Sequence, residues 1–169
     1  MSQARKRRVL IIVENLPVPF DRRVWLEATA LRDAGYEVSV ICPKGKNYMQ
    51  SRETLEGIHI YRHPLPVEGD SGALGFLIEY GVAFFWELLL AWKIFLTRGF
   101  DILHACNPPD NIFLVALTFR PFGVRFVFDQ HDINPELYIA KYGKKGPLYY
   151  VLLALERLTY ATAHLVIAT

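Results

Sequence analysis

The chain has 169 residues, enough for one domain with a real core, and 52% hydrophobic against 21% charged residues excludes general disorder. The net charge is only +2, and Arg5, Lys6, Arg7 and Arg8 supply four positive charges in one run. The remaining body is slightly acidic, which excludes the basic surface of a nucleic-acid-binding domain.

The basic segment 1–8 reads either as a solvated start or as a contact with an anionic membrane surface, worth about 1 kcal/mol per cation. Only about five apolar residues follow it before Glu14, too few for a signal peptide. Val9–Val13 is a continuous apolar run of the kind a strand buried on both faces shows. Arg22–Ala34 puts Val24, Ala28 and Leu31 at helical spacing, with Asp21 as its N-cap and Gly35 just past its end. Glu37–Ile41 reads as a second strand closed by Pro43, residues 44–57 as a polar loop, and Ile58–Arg62 as a third strand. On that strand His59 and His63 stand about 13 Å apart, too far for a metal pair.

Leu74–Leu96 is long enough to raise the question of a membrane span. Glu79, Glu87 and Lys93 interrupt it, and at about 100° per residue all three fall within one arc of about 120°. That pattern predicts an amphipathic helix packed on a sheet, or one that also touches membrane or a partner, and not a spanning helix. Asp101–His104 is strand four, with His104 read as a satisfied core histidine. Asp110–Phe119 is helical, Arg125–Asp129 is strand five, Pro147–Ala163 is helical, and Leu165–Ala168 begins strand six. Cys42 and Cys106 match no zinc or redox spacing and read as buried thiols of a reducing, cytoplasmic compartment.

This alternation predicts an α/β fold: a Rossmann-like, doubly wound parallel sheet covered on both faces. Ligands bind outside the carboxyl ends of such strands, which singles out loops 14–23, 42–47, 63–72, 105–110 and 129–137. The first loop, Glu14–Arg23, contains no glycine, so neither the dinucleotide fingerprint nor the Walker pattern applies. Arg22 and Arg23 beside a helix N-terminus can hold a phosphate or an acidic sugar, or can form surface ion pairs. Asp129–Glu136 (DQHDINPE) is the most informative stretch, with five acidic or amide side chains and a histidine directly after a buried strand. His131 can donate, accept or carry charge near neutral pH and so can serve sugar hydroxyls or a phosphate. Asp132 and Glu136 are four apart and can share one face of a following helix, while Asp132 and Asn134 are also capping residues. Asn107 or Asp110 can cap the helix after strand four, near the same crevice.

The order of these pieces resembles the N-terminal domain of the family 4 glycosyltransferases, which have the GT-B architecture. The matching stretches are Val9–Pro43, Gly57–Pro64, Asp101–Pro109, Arg125–Tyr138 and Leu155–Thr169. The resemblance implies the N-terminal half of a GT-B architecture and nucleotide-sugar-dependent transfer with retention, this domain (residues 9–169) shaping the acceptor side. It maps the family's cleft histidine to His131, as the catalytic residue contacting the donor sugar near the reacting carbon. Asn15, Arg22, Arg23, Asn107, Asp132 and Glu136 are the expected substrate-binding residues. No metal and no cofactor is expected, the nucleotide sugar entering as substrate. The expected partners are a glycan or lipid-linked acceptor, peripheral membrane contact on the inner face, and no nucleic acid. Two departures stand out. Relatives often carry a glycine-rich first loop, whereas prolines and the Arg22–Arg23 pair stand here, favouring side-chain over backbone contacts to phosphate. The family's Glu-x7-Glu donor motif has no counterpart in the right place, since Glu79–Glu87 precedes strand four. A donor-binding C-terminal domain is therefore expected in cis or in trans, and the chain is expected to be inactive alone. The alternatives are a non-catalytic subunit recruiting a separate donor-domain chain to a membrane, and an unrelated Rossmann-like binding domain.

Overall fold

The computed structural model describes residues 6–65, 72–108 and 110–168, the side chains of 72–80 excepted. In chain order the elements are β1 (Arg8–Ile12), α1 (Arg22–Asp33), β2 (Glu37–Pro43), β3 (Arg52–Leu55), β4 (Ile58–His63), α2 (Gly72–Thr97), β5 (Ile102–Cys106), α3 (Phe113–Phe119), β6 (Arg125–Gln130), α4 (Asn134–Tyr142), α5 (Pro147–Thr162) and β7 (Leu165–Ala168). The strands form one sheet in the order β3-β4-β2-β1-β5-β6-β7, parallel except for β3. The chain runs outward from β1 through β2 to β4, then returns to β5 on the other side of β1. This reversal puts α1 on one face, over Val9, Ile11, Val38 and Val40. It puts α2 and α3 on the other, over Leu10, Ile12, Leu103 and Phe126. At the carboxyl ends of β1 and β5 the connections leave for opposite faces of the sheet, the switch point where such folds bind ligands.

The parallel strands are legible in sequence because both faces are buried, leaving apolar runs without alternation. Strand β3 is not, and the segment 44–57 expected to be a loop contains it. Arg52-Glu53-Thr54-Leu55 is a short edge strand with no apolar pattern, ordered by antiparallel pairing with β4. Glu56 and Gly57 adopt φ of 49° and 82°, the backbone of a two-residue hairpin turn. Likewise the helix expected over 110–119 is divided, Asp110–Ile112 forming a 3-10 turn ahead of α3. Arg8 of the basic run folds into the turn after α2, donating to the Arg98 carbonyl and packing against Gly99, where a Cβ would meet its guanidinium at 2.8 Å. Lys6 and Arg7 are exposed.

Helix α2 corrects a second expectation. Glu87 does not lie on a solvated stripe; it shares a buried face with Ala83, Ala91 and Ile94 and is 0% exposed, whereas Lys93 is exposed. Glu87 was at the edge of the predicted arc, and Ile94, about two turns on, points the same way. The Glu79 side chain lies outside those described. Among the described residues, no helix is long and apolar enough to cross a membrane.

Among the described residues neither Glu87 carboxylate oxygen has a hydrogen-bond partner, and burial, then the nearby Glu14, pushes this carboxyl well above the ordinary range. A carboxyl raised on folding contributes its stability below the unfolded value near pH 4, and that contribution falls away as pH rises towards the folded value. We therefore expect Glu87→Leu to stabilise the fold by about 2 kcal/mol at pH 7.5 in urea unfolding, the gain shrinking at pH 4. A destabilised variant at both pH values would show that Glu87 holds a partner in solution.

Candidate functional site

At the carboxyl edge of the sheet, strand alternation brings one set of polar side chains onto the α1 face. His104 and Cys106 are two apart on β5, and β6 pairs with it so that Val127 opposes His104 and Asp129 opposes Cys106. Asp21 caps α1 by accepting from the Val24 N–H at 3.1 Å, which fixes where the helix starts. Arg23 and Glu27 then lie one turn apart above the strand ends.

Asp129 is the centre of this cluster. Its side chain is 1% exposed, and Oδ1 accepts from Arg23 Nη2 at 3.0 Å. Oδ2 lies 2.9 Å from Nε2 of His131 and 3.6 Å from Nε2 of His104. Glu27 Oε1 takes a 3.4 Å bond from Arg23 Nε, and its Oε2 is 3.7 Å from His104. Burial alone would raise the Asp129 carboxyl, but the imidazoles of His104 and His131 and the Arg23 guanidinium outweigh it and hold it far below the ordinary range. Glu27 goes the other way, raised by burial and by Asp129 against the opposing pull of His104. Because an ionised carboxylate only accepts, His131 must carry its proton on Nε2 to bond Asp129, which makes Nδ1 the acceptor of the neutral ring.

Asn107 fixes the main chain beside this histidine. Its Oδ1 accepts from the His131 N–H at 2.6 Å and the Asp132 N–H at 3.1 Å. Its Nδ2 donates to the Asp132 carbonyl at 2.6 Å and to Asp110 at 3.0 Å. Asp110 also accepts from Asn134 at 2.8 Å, and Thr159 donates to its carbonyl at 2.7 Å, tying α5 to the loop. Asn107 is thus fully committed to the protein and orients His131 rather than facing a ligand.

The structure therefore brings together Arg23, Asn107, His131 and Asp132. Asn15, Arg22 and Glu136 are exposed on the flanking segments. Asp132 and Glu136 do not share a helical face, because α4 begins at Asn134. Asp132 and Asn134 do not cap it either; Asn134 is spent on Asp110. Sequence reasoning missed Glu27 and misread His104, whose Nε2 has no hydrogen-bond partner and faces two carboxylates. The available signal was the two-residue alternation that puts His104 and Cys106 on one face, opposite Asp129.

Ligand atoms of Glu27, His104, Cys106 and Asp129 all lie within 4.8 Å of one another, a grouping able in principle to hold a metal ion. Both Asp129 oxygens are already engaged by Arg23 and His131, and burial raises the Cys106 thiol well above its ordinary value. A metal here would have to displace Arg23 or His131 and deprotonate a buried thiol.

A family model described as "Glycosyl transferase 4-like domain" matches residues 21–169. The chain belongs to that family. No curated protein sequence matches it. Among solved structures, it is similar to sucrose-phosphate synthase from Thermosynechococcus elongatus, with a TM-score of 0.67 at 16% identity over 97% of this chain and 42% of that one. It is also similar to the C-terminal domain of a hydrogenase from Pyrococcus furiosus, with a TM-score of 0.55 at 14% identity over 76% of this chain and 95% of that one. At such identities the likeness shows the fold, a Rossmann-like α/β sheet as in GT-B glycosyltransferases. The chain spans less than half the length of the synthase.

A carboxyl depressed on folding stabilises above its unfolded value near pH 4 and loses that contribution as pH falls towards the folded value. We expect Asp129→Asn to cost about 3 kcal/mol at pH 7 in urea unfolding, because Arg23 and the histidines lose a buried counter-charge. The gap between the two proteins should narrow at pH 3. Equal stability at pH 7 would remove Asp129 as the centre of the cluster.

Proposed function

We propose that this chain is the acceptor-side domain of a nucleotide-sugar-dependent, retaining glycosyltransferase of polysaccharide or glycolipid synthesis. The observation that carries the reading is His131 held by Asp129 and Asn107 at the sheet's switch point, in a family member. In such a transfer the bond between the anomeric carbon and the diphosphate oxygen breaks, and the acceptor oxygen forms the new bond. The acceptor proton leaves with the departing phosphate. The chain's own part is positioning and charge stabilisation: Nδ1 of His131 meets the donor sugar beside the reacting carbon. Arg22, exposed at the start of α1, is available to an anionic group, whereas Arg23 is spent on Asp129 and Glu27. Asn15, Asp132 and Glu136 supply hydrogen-bonding groups on the loops around the switch point. The transfer needs no metal in this reading, since Arg23 and the His131 ring already occupy the Asp129 oxygens.

The nucleotide sugar is held by a donor-binding domain, in cis or in trans, without which this domain is inactive. Uncovered apolar surface supports such a partner: in β7, Leu165 and Ile167 are 55% and 39% exposed on the face that α1 covers elsewhere. A peripheral contact with the inner face of a membrane fits helix α2, where Phe85, Leu89 and Leu96 are exposed beside Lys93. A lipid-linked or surface-glycan acceptor follows from that contact.

In the protein joined to its donor-binding domain, His131→Ala should lower kcat about 100-fold with the unfolding midpoint unchanged. Unchanged turnover would take His131 out of the reaction. The same protein should sediment with anionic vesicles, and equal recovery in the supernatant with and without vesicles would exclude the membrane contact.

A further inference from the structure

A second polar site lies at the far edge of the sheet from His131. A pocket of about 230 Å³ opens between the β3–β4 hairpin and the end of α2, lined by Arg52, Thr54, His59, Tyr61 and Arg98 among others. Register explains the grouping: Arg52 opposes Tyr61 and Thr54 opposes His59, so all four share one face of the hairpin. Glu53 also lines the pocket, and its carboxylate is paired with the fully buried Arg62. Strand β4 is four strand spacings from β6, about 19 Å, so this pocket is separate from the His131 site.

Its hydrogen-bonding groups are donors in excess. The Tyr61 hydroxyl oxygen accepts from Arg98 Nε at 3.1 Å and from Arg52 Nη2 at 3.4 Å, leaving its own O–H to donate elsewhere. Arg98 spends Nη1 on Glu37 at 3.0 Å. Arg52 stacks over the Tyr61 ring at 4.9 Å and has no carboxylate partner among the described residues. Thr54 Oγ1 lies 3.0 Å from Nδ1 of His59, which leaves Nε2 for a ligand. Burial, then the positive charges of Arg98 and Arg52, push His59 below its ordinary value, with Glu37 opposing. With Glu53 paired to Arg62, the Arg52 and Arg98 guanidinium groups set against the Glu37 carboxylate leave the site with uncompensated positive charge.

We propose that this pocket binds a small oxyanion, a phosphate or carboxylate group borne by a sugar. Guanidinium N–H groups and a phenol O–H converging from two strands and a helix end match the several acceptor oxygens of such a group. The volume exceeds that of the anion alone and has room for the ring that carries it. The oxyanion follows from these residues alone, whereas the sugar that bears it rests on the transferase reading, and binding of inorganic phosphate tests the first apart from the second.

The test is a titration of the 169-residue chain with inorganic phosphate, glucose 6-phosphate and glucuronate, following the His59 and His131 rings by NMR. We expect a saturable His59 shift with its titration moved to higher pH by the bound anion, and a His131 signal that does not follow it. Arg52→Gln should weaken binding at least about 10-fold, and Tyr61→Phe by a smaller factor, with the fold kept because Arg52 is exposed. Preference among the three probes distinguishes a phosphate carrier from a uronate. No saturable shift at His59 with any probe, or equal binding by Arg52→Gln, would overturn the proposal.

Discussion

One buried carboxylate organises the carboxyl edge of this sheet. Asp129 has almost no contact with water, and its charge is held by the Arg23 guanidinium and the His131 N–H, with the His104 ring beside them. Those partners come from three elements: α1, β5 and the loop after β6. Removing any of them leaves a charge stranded, which is why the position of α1 over the strand ends and the orientation of His131 are coupled. The caps and clamps nearby serve the same end. Asp21 sets where α1 begins, and Asn107 holds the backbone that presents the histidine.

The reversal of strand order at β1 provides the setting. Helix α1 leaves on one side and α2 returns on the other, which makes the carboxyl ends of β1 and β5 the sheet's switch point. Such a switch point accepts many ligands, and the likeness to a hydrogenase domain as well as to a synthase shows that the sheet alone does not choose a chemistry. Here the family membership supplies that choice. The Asp129 carboxylate beside His131 is buried, while Arg23 and Glu27 at its rim stay partly exposed.

Most of the fold was legible because buried parallel strands and capped helices leave local signals. Val9–Val13, Arg125–Asp129 and the Asp21 cap are examples. What was not legible depends on tertiary partners. Strand β3 has no apolar pattern and exists through pairing with β4. Glu87 looked solvated because charge suggests water, yet the face it shares with Ala91 and Ile94 is the one that meets the sheet. At the site, His131 stood out through the density of polar neighbours in its loop. Glu27 and His104 did not, because each is an isolated polar residue in an otherwise ordinary helix or strand. Only the reach of the Arg23 and Glu27 side chains from α1 to the ends of β5 and β6 makes the cluster. Asn107 was read as a ligand contact, and its four hydrogen bonds within the protein make it a positioning residue instead.

The central claim is that Asp129 fixes one tautomer of His131 and makes the other nitrogen the acceptor. Long-range proton–nitrogen NMR on the imidazole rings of the nitrogen-labelled chain reads this directly. The account predicts a His131 ring protonated on Nε2, with an unprotonated Nδ1 at pH values where the ring is neutral, and loss of that preference in Asp129→Asn. A ring protonated on Nδ1, or one that averages between tautomers in the parent protein, would contradict it.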